Sequence, residues 1–297
     1  MNIEKEKRAI QYLQAFEPQT EPYYLCYSGG KDSDVIRILA SLAGVKHDIV
    51  NNHTTVDAPE TVRYIRSIPN VQISYPEKTM WQLIVEKGIP PTRLIRYCCS
   101  ELKERGGKGR VKVTGVRKEE SVNRAINSGV VKIIGKAKTV EKSAIQQGVD
   151  FHKTPKGGIV LNNDNDESRR FVEHCYRTTS TMVNPIVDWS NSDVWEFLNY
   201  YGCDSNPLYR KGFCRVGCVG CPLGGFKSMK REFALYPKYK EQYIRTFDKM
   251  IQRRIEKGLP PVWNSGEECF VWWIGNDPNQ LTLDEYFNDP EWYLQRT

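Results

Sequence analysis

The first apolar cluster in the chain is a four-residue run, Tyr23-Tyr24-Leu25-Cys26, closed by Tyr27-Ser28-Gly29-Gly30. Beyond the glycines, Val35, Ile36, Ile38 and Leu39 recur at helical spacing. The pattern predicts strand, tight turn, helix. A second strand is predicted over 46–52, then a helix through Val62, Tyr64, Ile65 and Ile68, and a third strand over 71–75. Met80 to Lys87 reads as a helix stopped by Gly88 and the Pro90-Pro91 pair, and 110–116 as a further strand. An earlier helical stripe (Ile3, Ile10, Leu13, Phe16) caps the series. Strands alternating with helices imply an α/β fold, a parallel twisted sheet with helices on both faces. In such sheets ligands sit at the carboxyl ends of strands, where the polar clusters of this chain fall.

Between about 128 and 177 the pattern turns polar and hairpin-like, which predicts an insertion at the rim of the sheet. Helical spacing returns after Glu232 with Tyr236, Tyr239, Tyr243, Phe247, Met250 and Ile251. The aromatics Trp263, Trp272 and Trp273 read as packing of a C-terminal subdomain, not as a base-stacking platform. The expected organisation is a nucleotide-binding domain over 1–205, insertion included, and a mainly helical segment with a cysteine loop over 206–297.

Composition narrows the class. With 297 residues, 39% apolar and 27% charged, the chain suits one large or two modest soluble domains. No apolar run reaches the ~18 residues of a membrane helix, and the charged start lacks a signal-peptide core. A cytoplasmic protein with no membrane partner is expected. The formal charge of +7 favours anionic partners without choosing among nucleotides, sulfate esters and nucleic acid. Nine cysteines in such a compartment point to reduced, redox-active or metal-binding thiols in preference to disulfides.

The turn after the first strand carries the clearest chemistry. Gly29 and Gly30 let the backbone approach a ligand closely, and free N–H groups at the helix start favour an anion. Ser28 and Ser33 add hydroxyls, Lys31 a mobile positive charge and Asp32 a carboxylate. This is a phosphate cradle, though not the loop that places four residues between its glycines. Elsewhere, Cys98-Cys99 is an adjacent pair, and Cys218 and Cys221 form a two-apart pair beside Gly220 and Pro222, with Cys214 four residues upstream. Four thiolates satisfy an iron–sulfur cluster or a structural zinc equally well. The tandem pair is awkward for tetrahedral zinc.

Ser28-Gly29-Gly30-Lys31-Asp32-Ser33 resembles the pyrophosphate loop of N-type ATP pyrophosphatases. Val56-Asp57-Ala58-Pro59-Glu60-Thr61, Gly115-Val116-Arg117-Lys118-Glu119-Glu120-Ser121 with Arg124, and Asn184-Pro185-Ile186-Val187-Asp188-Trp189-Ser190 resemble, in order, motifs of the phosphoadenosine-phosphosulfate reductase family. The likeness spans roughly 22–226. It implies an adenine-nucleotide fold of the alpha-hydrolase type. By resemblance to the adenylylsulfate-reductase branch, Cys98, Cys99, Cys218 and Cys221 bind a [4Fe–4S] cluster, with Cys214 as the rival ligand. Cys26, Cys175 and Cys203 are expected as buried small residues.

Within the family two readings compete. A reductase attacks a phosphosulfate with a C-terminal cysteine, commonly in a Glu-Cys-Gly-Leu-His setting. Here Glu268-Cys269-Phe270-Val271-Trp272 keeps only Glu-Cys, and the phosphate loop is intact. The resemblance therefore leans to ATP-dependent enzymes that adenylylate an oxygen and then install sulfur, such as DNA-phosphorothioation proteins. In that reading Lys31 and the loop N–H groups, with Gly115, hold ATP, and Arg117 and Arg124 clamp the substrate anion. Mg²⁺ sits on the phosphates with Asp32 or Asp57. Expected partners are the nucleotide, a sulfur donor such as a cysteine desulfurase, a nucleic acid acceptor and a second copy of the chain.

Overall fold

A computed structural model describes residues 2–275, so the last part of the expected C-terminal segment lies outside the described residues. The chain runs through α1 (Ile3–Ala15), β1 (Tyr23–Cys26), α2 (Lys31–Ala43), β2 (His47–Asn52), α3 (Pro59–Ser67), β3 (Val71–Ser74) and α4 (Met80–Lys87). It continues with β4 (Lys112–Val113), α5 (Val122–Asn127), β5 (Val131–Ile134), α6 (Ala137–Gln146), β6 (Phe151–Lys153), β7 (Ile159–Leu161) and α7 (Asp166–Cys175). Then come β8 (Ser180–Val183), α8 (Asn191–Tyr200), α9 (Phe226–Leu235), α10 (Pro237–Glu256) and α11 (Gly266–Trp273).

The chain divides into two compact units, and not at the boundary expected near 205. Among the described residues, the first comprises 2–53, 59–74 and 105–216; the second comprises 54–58, 75–104 and 217–275. Short stretches around Asp57 and the tandem cysteines thus join the C-terminal segment.

The first unit carries one eight-stranded sheet in the order β3-β2-β1-β4-β8-β5-β7-β6. The five strands from β3 to β8 are parallel, as the helix–strand alternation predicts. The stretch 128–177 corrects that expectation. It extends one edge of the sheet and carries a β6–β7 hairpin, as expected of the insertion, but β5 pairs antiparallel with β8, β7 with β5, and β6 with β7, making the sheet mixed. Alternation explains it, since Val131 and Ile133 are buried while Lys132 and Ile134 face outward. Around the sheet, Leu25, Ile36, Leu39, Val113, Phe171, Val183 and Phe197 are all wholly buried in one core.

In the second unit α4 begins with reciprocal capping: the Thr79 side chain accepts from the Gln82 N–H, and the Gln82 side chain accepts from the Thr79 N–H. It ends at Gly88 in the left-handed region (φ 68°), where a side chain would be strained. Its apolar face meets α10, and α10 in turn packs on α11 through Tyr243, Phe247, Phe270 and Trp273. The single helix expected after Glu232 is two: Tyr236 leaves helical geometry and Pro237 starts α10.

Candidate functional site

In the first unit β1 delivers the chain into Tyr27-Ser28-Gly29-Gly30, and α2 starts at Lys31. Gly29 has φ +71°, and a Cβ there would stand 2.7 Å from Ile65 Cγ1, so both conformation and space demand glycine. The Ser33 hydroxyl accepts from the Gly30 N–H (3.1 Å) and donates to the Gly30 carbonyl (2.7 Å), closing the first turn. Ser28 Oγ lies 3.3 Å from Ser33 Oγ. The expected cradle residues are together.

The charges are arranged around Asp32. Lys31 Nζ lies 3.0 Å from Asp32 Oδ2, and Arg117 Nε lies 2.6 Å from Asp32 Oδ1. Arg117 is 3% exposed, with its Nη1 on Glu119 (3.1 Å) and on the Trp189 carbonyl (3.2 Å). Gly115 explains how a distant segment gets there: a Cβ on it would sit 2.9 Å from the Asp32 carbonyl oxygen. Only a glycine allows this backbone to close on the start of α2. Arg124 lies on the exposed α5, where its guanidinium pairs with Glu120 one turn away.

Two supports of the loop escaped the sequence reading. Asn206, fully buried, donates to the Gly29 carbonyl (3.0 Å) and to Thr61 Oγ1 (3.2 Å). The Tyr209 hydroxyl accepts from the Lys31 N–H at 2.9 Å. The Asn206-Pro207-Leu208-Tyr209 turn was the available signal. Behind the loop a wholly buried carboxyl, Asp34, accepts from the Tyr27 hydroxyl (2.6 Å) and the Tyr64 hydroxyl (3.0 Å). Burial pushes it up to about 6, against the lowering effect of those hydroxyls and of Arg37.

The second unit holds the four cysteines expected as ligands. Cys98, Cys99, Cys218 and Cys221 line one small cavity with Leu102, Lys103 and Tyr243. A π-helical turn over Cys99–Lys103 supplies one wall, and the Gly220 turn (φ +74°) the other. The Gly220 N–H is held by Glu232 at 2.7 Å. Cys218 is buried, its thiol 3.4 Å from Thr54 Oγ1 and pushed up by desolvation. Within the tandem pair the hydrogen bond from Cys98 holds the Cys99 thiol down, helped by Arg96 and Lys103, and raises Cys98. Cys218, then Cys221 and Asp57, raise the Lys103 ammonium. Among the described residues no three Cys, His, Asp or Glu side chains converge tightly enough for a single metal ion.

Asp57, expected as a magnesium ligand beside the phosphate loop, belongs to this second unit. There it forms a bridge pair with Cys218, and its carboxylate accepts from the Thr54 N–H at 2.9 Å. Cys214 is exposed, lies in the first unit and does not line the cavity. Cys175 is buried as expected, whereas Cys26 and Cys203 are half-buried. Cys269 is wholly buried in α11.

The phosphoadenosine phosphosulfate reductase domain model matches residues 22–223. An uncharacterized protein of Methanocaldococcus jannaschii is 27% identical over 269 residues, covering 86% of this chain and 48% of that protein. A 37.8 kDa protein of Escherichia phage 186 is 24% identical, covering 52% of this chain and 38% of its own. An adenosine 5'-phosphosulfate reductase of Neisseria meningitidis is 30% identical over 106 residues, 36% of this chain and 34% of that enzyme. The chain spans about half the length of the archaeal relatives it matches. Among solved structures, a phosphoadenylyl-sulfate reductase from Candida auris aligns with TM-score 0.41 at 15% identity, over 71% of this chain and 87% of the other.

Proposed function

Because the chain belongs to the phosphoadenosine phosphosulfate reductase domain family, we propose that it is an ATP pyrophosphatase that adenylylates an acceptor in iron–sulfur-dependent sulfur transfer. The observation that carries this reading is the intact Ser28–Ser33 loop, with Lys31, Asp32 and Arg117 interlocked at the start of α2. A cradle built for a leaving pyrophosphate has no use in an enzyme that releases none. In the proposed step an acceptor oxygen attacks the α-phosphorus of ATP, the α–β bridging bond breaks, and pyrophosphate leaves with the bond pair. Lys31, the loop N–H groups and Arg117 stabilise the charge that grows on it.

The Asp32 carboxylate stands between the two cations that the phosphates need. Phosphate oxygens would replace it on Lys31 and Arg117, leaving Asp32 free to help hold a Mg²⁺, which would supply further charge neutralisation. The Lys31 N–H reaches the phosphates as the Tyr209 hydroxyl gives way.

The four cavity thiols suit a [4Fe–4S] cluster better than one zinc. Each iron of a cluster takes one thiolate, whereas the adjacent pair Cys98-Cys99 is awkward for the tetrahedral geometry of a single zinc. Cys98, Cys99, Cys218 and Cys221 would hold it, and it would supply an iron centre for sulfur chemistry. A cysteine-desulfurase-type donor and a nucleic acid acceptor complete the reading.

Incubation of the protein with ATP and Mg²⁺, with and without candidate acceptors, should release AMP and pyrophosphate. Tight binding of adenylylsulfate or phosphoadenylylsulfate, with neither ATP binding nor pyrophosphate, would replace this function with sulfonucleotide reduction.

A further inference from the structure

A second anion-seeking surface lies in the C-terminal unit, lined by residues of neither the phosphate loop nor the cysteine cavity. Helices α4 and α10 bound a groove of about 410 Å³. On the α10 side Lys249, Arg253 and Lys257 project at four-residue intervals, all three exposed. Four residues of helix advance about 6 Å, so the three cations form a single row. A row of that pitch matches successive phosphates of an extended strand. The groove contains one carboxylate, Glu86, and Lys78 already neutralises it at 2.6 Å. Glu256, just outside, is matched by Arg253 at 3.2 Å. Lys87 and Lys257 add positive potential around Glu86. The balance of the groove is cationic.

Its wall also carries an aromatic face. Trp81 on α4 is half-buried and locked edge-on against Tyr243, with centroids 4.8 Å apart and planes at 76°. Gln82 and Gln242 also line the groove, neutral amides able to donate and accept. A row of phosphate-spaced cations beside a fixed indole is the arrangement by which proteins hold single strands: backbone charge is neutralised while a base stacks on the ring. A salt-bridged solvent face has no need of the indole.

We propose that the α4–α10 groove binds single-stranded nucleic acid, with Lys249, Arg253 and Lys257 on consecutive phosphates and Trp81 under a base. This names the acceptor class of the sulfur-transfer reading and rests on that reading for its chemical consequence. The binding itself requires neither ATP nor any cysteine.

The test is fluorescence anisotropy of the full chain with a fluorescein-labelled single strand of about 16 nucleotides, as DNA and as RNA, without ATP. Binding should weaken steeply between about 50 and about 200 mM salt. The variant Lys249→Gln/Arg253→Gln/Lys257→Gln should bind about tenfold more weakly or worse, with a salt slope smaller by about three. Trp81→Leu should weaken single-strand binding about tenfold. The control Arg169→Gln/Arg170→Gln, which removes two exposed charges from α7, should bind like the parent. Photocrosslinking of a bromouracil-containing strand to the unmutated protein should mark peptides from 80–87 or 242–257.

No binding at low salt, an equal loss in the control, or crosslinks elsewhere would overturn the groove. Duplex binding as tight as single-strand binding and indifferent to Trp81 would overturn the strand assignment. Pyrophosphate release is scored separately, so a failure of the nucleotide reading leaves this result legible.

Discussion

The phosphate loop and the cysteine cavity solve opposite problems. The loop is made by six consecutive residues, and its geometry is mostly backbone: two glycines, a serine that caps its own turn and a helix start. Its charges satisfy one another before any ligand comes, Asp32 holding both Lys31 and Arg117. The cavity is made of pairs from two distant stretches of chain, and apolar walls such as Leu102 and Tyr243 surround its thiols. Nothing local specifies it; the packing of α10 and α11 has to bring the second pair to the first. A site of the first kind survives as long as its helix does. A site of the second kind needs its whole unit folded, or a ligand that helps to fold it.

The sharpest way to break this contrast is to remove a cavity thiol. Cys218→Ser and Cys221→Ser should abolish iron and acid-labile sulfide in anaerobically purified protein, where the parent should be brown with about four of each per chain. They should also lower the stability of the second unit more than that of the sheet, seen as early loss of hydrogen-exchange protection in α10 and α11. Cys214→Ser should keep the colour. A colourless parent with one zinc sinks the cluster and leaves only a thiol-lined cavity.

Next in size is the loop. Lys31→Ala should lose about 2–4 kcal/mol of transition-state stabilisation, a fall of about 30- to 1,000-fold in pyrophosphate release, while the fold and the colour persist. Asp32→Asn separates its two roles. It unlocks both cations, so ATP should bind more tightly, yet turnover should drop because the neutral amide serves magnesium poorly. Equal losses in binding and turnover would refute the exchange proposed for Asp32.

A smaller effect comes from Asp34, the one charge problem the loop region leaves unsolved. Its folded pKa of about 6 lies above the ordinary value of 3.8, so the folded state favours the protonated form. Stability from this group is therefore full below pH 4 and is lost as pH rises through 6; above that the cost is constant, at most about 3 kcal/mol. Asp34→Asn keeps an acceptor for one tyrosine and offers its amide to the other. The variant should match the parent near pH 4 and exceed it in urea midpoint at pH 7.5. A difference independent of pH would show that the carboxyl is not titrating in this window.

How legible all this was depended on how local each feature is. Ser28–Ser33, Gly115 and Arg117 were readable because glycine at a forced position leaves a mark in the sequence, and the close approach of Gly115 to Asp32 gives the physical reason. The mixed half of the sheet was obscured because β5, β6 and β7 are three or four residues long in polar surroundings. Pairing partners, not propensity, make them strands. Asn206 and Tyr209 were missed because each acts alone from a turn, through one hydrogen-bonding group. Arg124 stands in a recognisable motif, but its pairing with Glu120 is visible only in the structure.

The smallest expected effect decides between the two chemistries within the family. Cys269 keeps the Glu-Cys pair of a reductase nucleophile, but the thiol is wholly buried in α11, with Phe270 and Trp273 buried beside it. Desolvation pushes its pKa up, and the nearby carboxylates of Glu268 and Asp248 push the same way. A thiol so placed is neither ionised at neutral pH nor reachable by a phosphosulfate. The cavity cysteines differ: Cys98, Cys99 and Cys221 are half-buried, and Lys103 and Arg96 favour the thiolate of Cys99. Cys269→Ser should therefore leave pyrophosphate release within about threefold of the parent, with a modest stability loss of about 1 kcal/mol from placing a hydroxyl where a thiol packed. Abolished turnover in a folded variant, or a thiosulfonate adduct trapped on Cys269 by mass spectrometry, would mean that α11 opens to expose it, and sulfonucleotide reduction would then be the reaction to pursue.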